Sequence, residues 1–252
     1  MGHDDFACGA PTCCPVVELR QYTLHPGQRD TLIDLFEREL LEPQEAAGMT
    51  VVGQFRDRNN PDRFVWIRGF PDMESRAAAL AAFYEGPVWA SHREAANATM
   101  VDSDDVLLLR PTGAGAGFRL PDPGEVPVGP GSGDGLVVAT VCHLTAPADV
   151  GLIAGFVSLL RPALAEHGGP VLASFVTEHA PNTYPRLPVR EGAQVLVWFA
   201  AFSDAASYER HRAAIAASAA WRGAFGDWLA PRLAGEHLAL RLAPTSRSRL
   251  RA

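Results

Sequence analysis

The stretch Val16-Val17-Glu18-Leu19-Arg20-Gln21-Tyr22-Thr23-Leu24 alternates with a period of two, the signature of a β-strand. Val17 and Leu19 share one face. Glu18, Arg20 and Tyr22 share the other, placing an acid, a guanidinium and a phenol in one row. Whether that row meets water or an enclosed space decides the fold, and the remainder of the chain bears on the answer.

The stretch has a counterpart further along. An offset of 120 residues lays Val17 on Val137, Leu24 on Leu144, Phe36 on Phe156, Leu40 on Leu160, Gly48 on Gly168 and Phe55 on Phe175. From Val65 the offset is 132, pairing Trp66 with Trp198, Phe70 with Phe202, Asp72 with Asp204, Trp89 with Trp221 and Leu108 with Leu240. Self-similarity of this kind marks a repeated unit, and the second copy carries 12 extra residues between Phe175 and Val197.

Each copy reads strand, helix, strand, strand, helix, strand. In the first, residues 17–24 are a strand, and residues 28–47 place Leu32, Leu35, Phe36 and Leu40 at helical spacing. Residues 51–57 and 64–70 flank Arg58-Asn59-Asn60-Pro61-Asp62, whose Asn and Pro content predicts a hairpin turn. Asp72 is placed to cap a helix that Gly86-Pro87 interrupts, and residues 106–110 close the unit. The organisation expected is a tail (1–15, containing Cys residues), a first unit (16–111), a Gly/Pro linker (112–135), a divergent second unit (136–244) and a short tail (245–252). A βαββαβ unit is ferredoxin-like, α+β, with both helices on one face of an antiparallel sheet. Its bare face needs a cover, and a tandem chain can supply one, so two units are expected to form a pseudo-dimeric α+β barrel with a central cavity. If Val17 and Leu19 pack on the helices, Glu18, Arg20 and Tyr22 point into that barrel, together with Trp66, Arg68 and Phe70.

Composition narrows the partners. The chain has 252 residues, 47% of them hydrophobic, and a net charge of −7 with no basic runs, so neither nucleic acid nor an anionic membrane is expected and small molecules are. All 22 basic residues are Arg; the lack of Lys excludes a lysine Schiff base, a pyridoxal-phosphate anchor and a Walker loop. Cys8, Cys13, Cys14 and Cys142 do not make a disulfide framework, which points to a reducing, cytoplasmic setting; no signal peptide or membrane span is expected either.

The run Val17-Glu18-Leu19-Arg20-Gln21-Tyr22-Thr23-Leu24-His25-Pro26-Gly27, the later Gly48-Met49, and Trp89-Ala90-Ser91-His92-Arg93-Glu94-Ala95-Ala96-Asn97 resemble a NIPSNAP domain. The likeness is specific to the first copy. The second has Val138, Thr140 and Cys142 where the first has Glu18, Arg20 and Tyr22, and Ala224 in place of His92. The resemblance implies the dimeric α+β barrel fold, whose superfamily includes cofactor-free monooxygenases, lyases, isomerases and haem-dependent dehydratases and peroxidases. It fixes architecture more firmly than chemistry.

Candidate catalytic residues are Glu18, Arg20, Tyr22 and His92; candidate ligand-binding residues are Trp66, Arg68, Phe70, Cys142 and Trp198. Arg20 or Arg68 would clamp a carboxylate or enolate oxygen while Glu18 or Tyr22 handles a proton, the alternative being an ion-pair network that only satisfies itself. His92 is an acid/base or haem ligand, or merely a group at a helix end. His211 is expected on a solvated face. Cys142 is a nucleophile or a small apolar filler. His3, Asp4, Asp5, Cys8, Cys13 and Cys14 are a soft-metal site for copper or zinc, or a tail. The insertion is expected as an extended hairpin acting as a lid or a contact surface. The reading is a small-molecule enzyme of specialised metabolism doing proton-transfer or cofactor-free oxygenase or lyase-type chemistry, without a cofactor, as a monomer or a homodimer. Its alternative is a non-catalytic module binding haem, another hydrophobic ligand or a protein.

Overall fold

The computed structural model describes residues 12–121 and 135–252. Eight strands among them close into one barrel in the order β1-β3-β2-β8-β5-β7-β6-β4. The first half supplies β1 (Val16–Leu24), β2 (Thr50–Asp57), β3 (Arg63–Phe70) and β4 (Met100–Pro111). The second supplies β5 (Leu136–His143), β6 (Val171–Thr177), β7 (Val195–Phe202) and β8 (Leu238–Pro244). The ladder is antiparallel throughout, and it pairs Glu18 with Arg68 and Arg20 with Trp66 as it pairs Val138 with Ala200 and Thr140 with Trp198. Two seams join the halves, β2 with β8 and β4 with β6.

Local chemistry explains the element ends. In the β2–β3 turn Asp57 Oδ1 accepts from the Asn59 amide at 2.8 Å and Asn60 Oδ1 from the Asp62 amide at 3.0 Å, side-chain bonds that hold the chain in a turn. Asp72 and Asp204 each accept from an amide three residues on, Ser75 and Ser207, at 2.6 Å, and so start the helices Met73–Tyr84 and Ala205–Ala217. Pro87 sits in the first turn of the helix Pro87–Asn97, where its missing N–H costs nothing. The first helix runs Arg29–Leu35, widens to a π turn over Phe36–Leu40 and continues as Leu41–Ala46. The second half repeats this at Val150–Gly155, Phe156–Leu160 and Arg161–Glu166.

Strand β4 begins at Met100, six residues before the expected start, because Thr23 and Leu24 find ladder partners in Asp102 and Met100 across a bulge. The acidic run Asp102-Ser103-Asp104-Asp105 hides a strand that polarity alone argues against. The expected linker and tail are partly packed: the Phe118 ring lies 4.9 Å from those of both Phe175 and Phe199, tilted to the first and edge-on to the second, while Ser248 and Leu250 are buried. Cys13 and Cys14 form a disulfide packed against Gly69, whose absent Cβ would lie 2.3 Å from Cys14 Cβ. His3, Asp4, Asp5 and Cys8 fall outside the described residues, so the metal expectation does too. Among the described residues, no helix is long and apolar enough to cross a membrane.

The sheet faces are the reverse of the expectation. Val17, Leu19, Val65 and Ile67 point into the barrel, where they pack with Val137, Ala139, Val197 and Leu240 from the other half. Tyr22, Trp66 and Phe70 lie in a separate cluster with Phe36, Leu40, Leu80 and Phe83 of the first half's helices. The row Glu18, Arg20, Tyr22 and Arg68 is therefore roofed by helices. An eight-stranded barrel has room for its own side chains or for one small ligand, and its interior here is filled by Val, Leu, Ile, Ala and Phe. A row of charges would find no hydrogen-bond partner in such an interior and stays under the helices, where polar partners exist.

Candidate functional site

Glu18 is fully buried and held by three guanidiniums. Arg20 Nη1 donates to Glu18 Oε2 at 2.6 Å, Arg68 Nε to the same oxygen at 2.7 Å, and Arg76 Nε to Oε1 at 2.7 Å. All three arginines are buried. Arg20 lies two residues along the same strand and face as Glu18, and Arg68 meets it by cross-strand register; Arg76 comes down from the helix Met73–Tyr84, on the same face as Ala79, Leu80 and Phe83.

Three guanidiniums against one carboxylate leave the cluster strongly positive. Neutral acceptors complete it: Tyr22 Oη takes a bond from Arg20 Nε at 3.0 Å, Gln44 Oε1 and Tyr84 Oη take bonds from Arg68 Nη1 at 3.4 and 3.3 Å, and Asn182 and Thr183 take bonds from Arg76 Nη1 at 3.0 and 3.1 Å. Arg68 also lies over the rings of Trp66 and Phe70, 5.0 and 5.7 Å from their centroids. Three buried donors of the cluster, Trp66 Nε1, Arg68 Nη2 and Arg76 Nη2, have no hydrogen-bond partner among the described residues, though Arg76 Nη2 lies 2.7 Å from Glu18 Oε1 as an ion pair.

Electrostatics separates the roles. Burial by itself would raise the Glu18 carboxyl, but Arg68, Arg20 and Arg76 outweigh it and hold the group well below the usual carboxylate range. Glu18 is thus a permanent anion that aligns the arginines, and it does not take up protons. Tyr22 moves the other way: burial pushes its phenol above the ordinary value, with Arg20 only partly opposing, so it carries its proton at neutral pH.

Beside the cluster lies a cavity of about 80 Å³. Tyr22, Gln44, Trp66 and Tyr84 form its polar side, and Phe36, Phe83 and Trp89 its aromatic walls. Phe36 belongs to the π turn, a helix irregularity that recurs at functional sites. The inserted segment of the second half, residues 178–194, is a strap without a strand ladder, in place of the hairpin expected. It crosses to the first half, where Tyr184 is buried and stacks 6.3 Å from Tyr84, Leu187 lines the cavity, and Arg186 pairs with Glu85 at 3.1 Å.

The remaining candidates lie elsewhere. His92 is outside the cluster, its Nε2 3.7 Å from Glu39 Oε2 on the first helix. Cys142 and Trp198 belong to the helix-covered layer of the second half, with Phe156 and Leu160. Burial pushes the Cys142 thiol up to about 12, which leaves it an inert filler. His211 is buried, not solvated, because its ring tucks against Gly169 and Phe202. Arg76, Gln44, Tyr84, Asn182 and Thr183 were not singled out from the sequence. Arg76 and Gln44 carry a legible signal, a polar residue set in the apolar stripe of a helix; Asn182 and Thr183 carry none.

The first half's strands, helices and buried Glu18-Arg20-Tyr22 row coincide with the span of a known family model, NIPSNAP, which matches residues 17–114. Over residues 17–114 the chain is similar to a NIPSNAP domain. No curated protein matches the chain. Three solved structures resemble the whole barrel. A candidate monooxygenase from Lactobacillus acidophilus NCFM superposes with a TM-score of 0.56 at 10% identity, over 95% of this chain and 100% of that one. One from Fusobacterium nucleatum gives 0.55 at 11%, over 92% and 93%. An anthrone oxidase-like protein gives 0.57 at 16%, over 91% of each chain. At these identities the likeness is one of fold. The segment similar to NIPSNAP thus occupies one half of the closed eight-stranded barrel, and its helix-covered face holds the buried cluster.

Proposed function

We propose that the chain is a small-molecule enzyme of the proton-transfer or cofactor-free oxygenase or lyase type, built as an intrachain dimeric α+β barrel from a duplicated module. Its reaction chamber is the aromatic cavity under the first half's helices, not the barrel interior. The observation that carries this is the positive surplus around Glu18 beside that cavity. A buried cation without a counter-charge stabilises an anion that forms next to it.

The step supported best is formation of a substrate oxyanion, an enolate or a phenolate, the proton leaving to a solvent or buffer base at the cavity mouth because neither Glu18 nor Tyr22 takes it up. The Tyr22 hydroxyl already accepts from Arg20, so its own proton is left for the cavity; together with Trp66 Nε1 it donates to the developing oxygen. Arg20 and Arg68 stand behind these donors and lower the cost of the negative charge. The aromatic walls hold a flat body and exclude water. Such ionisation is the step shared by isomerases, lyases and oxygenases that use the substrate's own carbanion. With a cavity of about 80 Å³ the closed strap admits only the reacting end of a substrate, so the strap lifts for entry. The wall offers neither His nor Cys and has no room for a porphyrin, so haem does not enter this reading.

The anthrone oxidase-like protein that shares this fold suggests the probe. Anthrone has an acidic methylene that enolises to a phenol. The wild type is expected to accelerate deuterium exchange at that methylene, followed by NMR under nitrogen, and Tyr22→Phe to lower the rate about a hundredfold, the effect of one oxyanion donor. Exchange no faster than in buffer, or unchanged by Tyr22→Phe, contradicts the proposal.

A further inference from the structure

The second half holds a cavity of about 90 Å³ at the position equivalent to the first. Two aromatic positions are shared, Trp198 for Trp66 and Trp221 for Trp89, but the polar groups are exchanged. Tyr208 stands where the first half has Arg76, His211 where it has Ala79, and Thr140 where it has Arg20. The guanidinium in this lining, Arg212, is paired with Glu209 at 2.9 Å, as is Arg241 at 3.2 Å, and an imidazole enters the wall.

His211 is fixed by two contacts. Its Nδ1 lies 2.7 Å from the backbone carbonyl of His167, which can only accept, so Nδ1 carries the hydrogen and Nε2 presents a bare lone pair. A Cβ at Gly169 would come within 2.4 Å of the ring's Cε1 and 2.7 Å of Nε2, so only glycine leaves room for the ring. Nε2 has no hydrogen-bond partner among the described residues and is not sealed from solvent, and neither the Tyr208 nor the Thr140 hydroxyl is engaged. Burial lowers the pKa of His211, with the bond to His167 only partly opposing, which keeps the ring neutral.

We propose that this second cavity binds the hydroxyl end of a neutral aromatic molecule, with His211 Nε2 accepting the hydroxyl hydrogen between the Trp198 and Phe202 rings. The first cavity offers donors and positive charge, and so selects an oxygen that accepts; the second offers an acceptor, and so selects an oxygen that donates. About 90 Å³ is the volume of roughly three waters, enough for the polar end of a ring whose remainder lies at the mouth beside Trp221 and His237. The site is independent of the reaction assigned to the first half.

Phenol is the probe, with benzene as its control. In the ¹⁵N-histidine-labelled full chain, long-range ¹H–¹⁵N spectra are expected to show His211 in the Nδ1–H form and to show its Nε2 resonance move saturably with phenol but not with equal benzene. By calorimetry His211→Ala and Gly169→Ala each weaken phenol binding by about fivefold or more, the loss of one hydrogen bond. Tyr22→Phe leaves the His211 response intact, so failure of the first site's chemistry and failure of this site read out separately. An Nε2 resonance unmoved at saturating phenol, or one moved equally by benzene, overturns the proposal.

Discussion

Glu18 shows how one residue can be legible in type and misread in role. The alternation of Val16–Leu24 announces an acid, an arginine and a tyrosine on one face, but not which face is roofed, because nearly every residue of β1 is buried on both sides. Apolar packing then gives no preference, and the helix residues Arg76 and Gln44 decide. Because the folded pKa of Glu18 lies below the unfolded one, its stabilisation is fully present above the ordinary value near 4.5 and is lost as pH falls towards the folded value. Thermal denaturation of the wild type is expected to show stability dropping as the pH is lowered from 4.5, with a shallower drop in Glu18→Gln; equal slopes would contradict the ionised assignment. At pH 7 that variant leaves three buried guanidiniums without their anion and is expected to lose about 3–5 kcal/mol, measured by denaturant unfolding. Arg20→Ala is expected to abolish whatever turnover is found.

At the scale of elements, the strap bridges the two halves through Asn182, Thr183, Tyr184 and Arg186. Its length was legible as 12 extra residues, and its place between β6 and β7 followed from the offset. Its destination was not, since Asn182, Thr183 and Tyr184 have no periodicity and make contacts with residues about a hundred positions away. Tyr184→Ala removes a buried ring and is expected to cost ~2 kcal/mol, read as faster amide hydrogen exchange in the strap and in the helix Met73–Tyr84, with the β5–β7 ladder protected as before. Uniform loss of protection across the barrel would mean the strap is part of the global fold and not a separately opening element. The π turns at Phe36–Leu40 and Phe156–Leu160 match across the halves, and no composition rule flags them, since both stretches read as ordinary helix.

For the whole molecule, the element order and the barrel were legible from the offset, because repeated apolar periodicity fixes strands and helices and an uncovered sheet demands a partner. What was not legible was that the covered interior would be dry. Val17, Leu19, Ile67 and Val137 are small or branched enough to fill the barrel, and the buried polar cluster lies in the helix-covered layer of the first half. A chain ending at residue 121 loses the partner for that apolar face and for both seams, and is expected by light scattering to be a dimer or an aggregate; a stable monomer would contradict the packing account. The central claim is that positive charge under the first half's helices ionises a bound ligand. Its most direct measurement is the absorbance titration of 4-nitrophenol bound to the wild-type protein. The account predicts an ionisation midpoint at least about one unit below that in water, restored in Arg68→Met. A midpoint raised above the value in water, as an apolar cavity alone would produce, would contradict it.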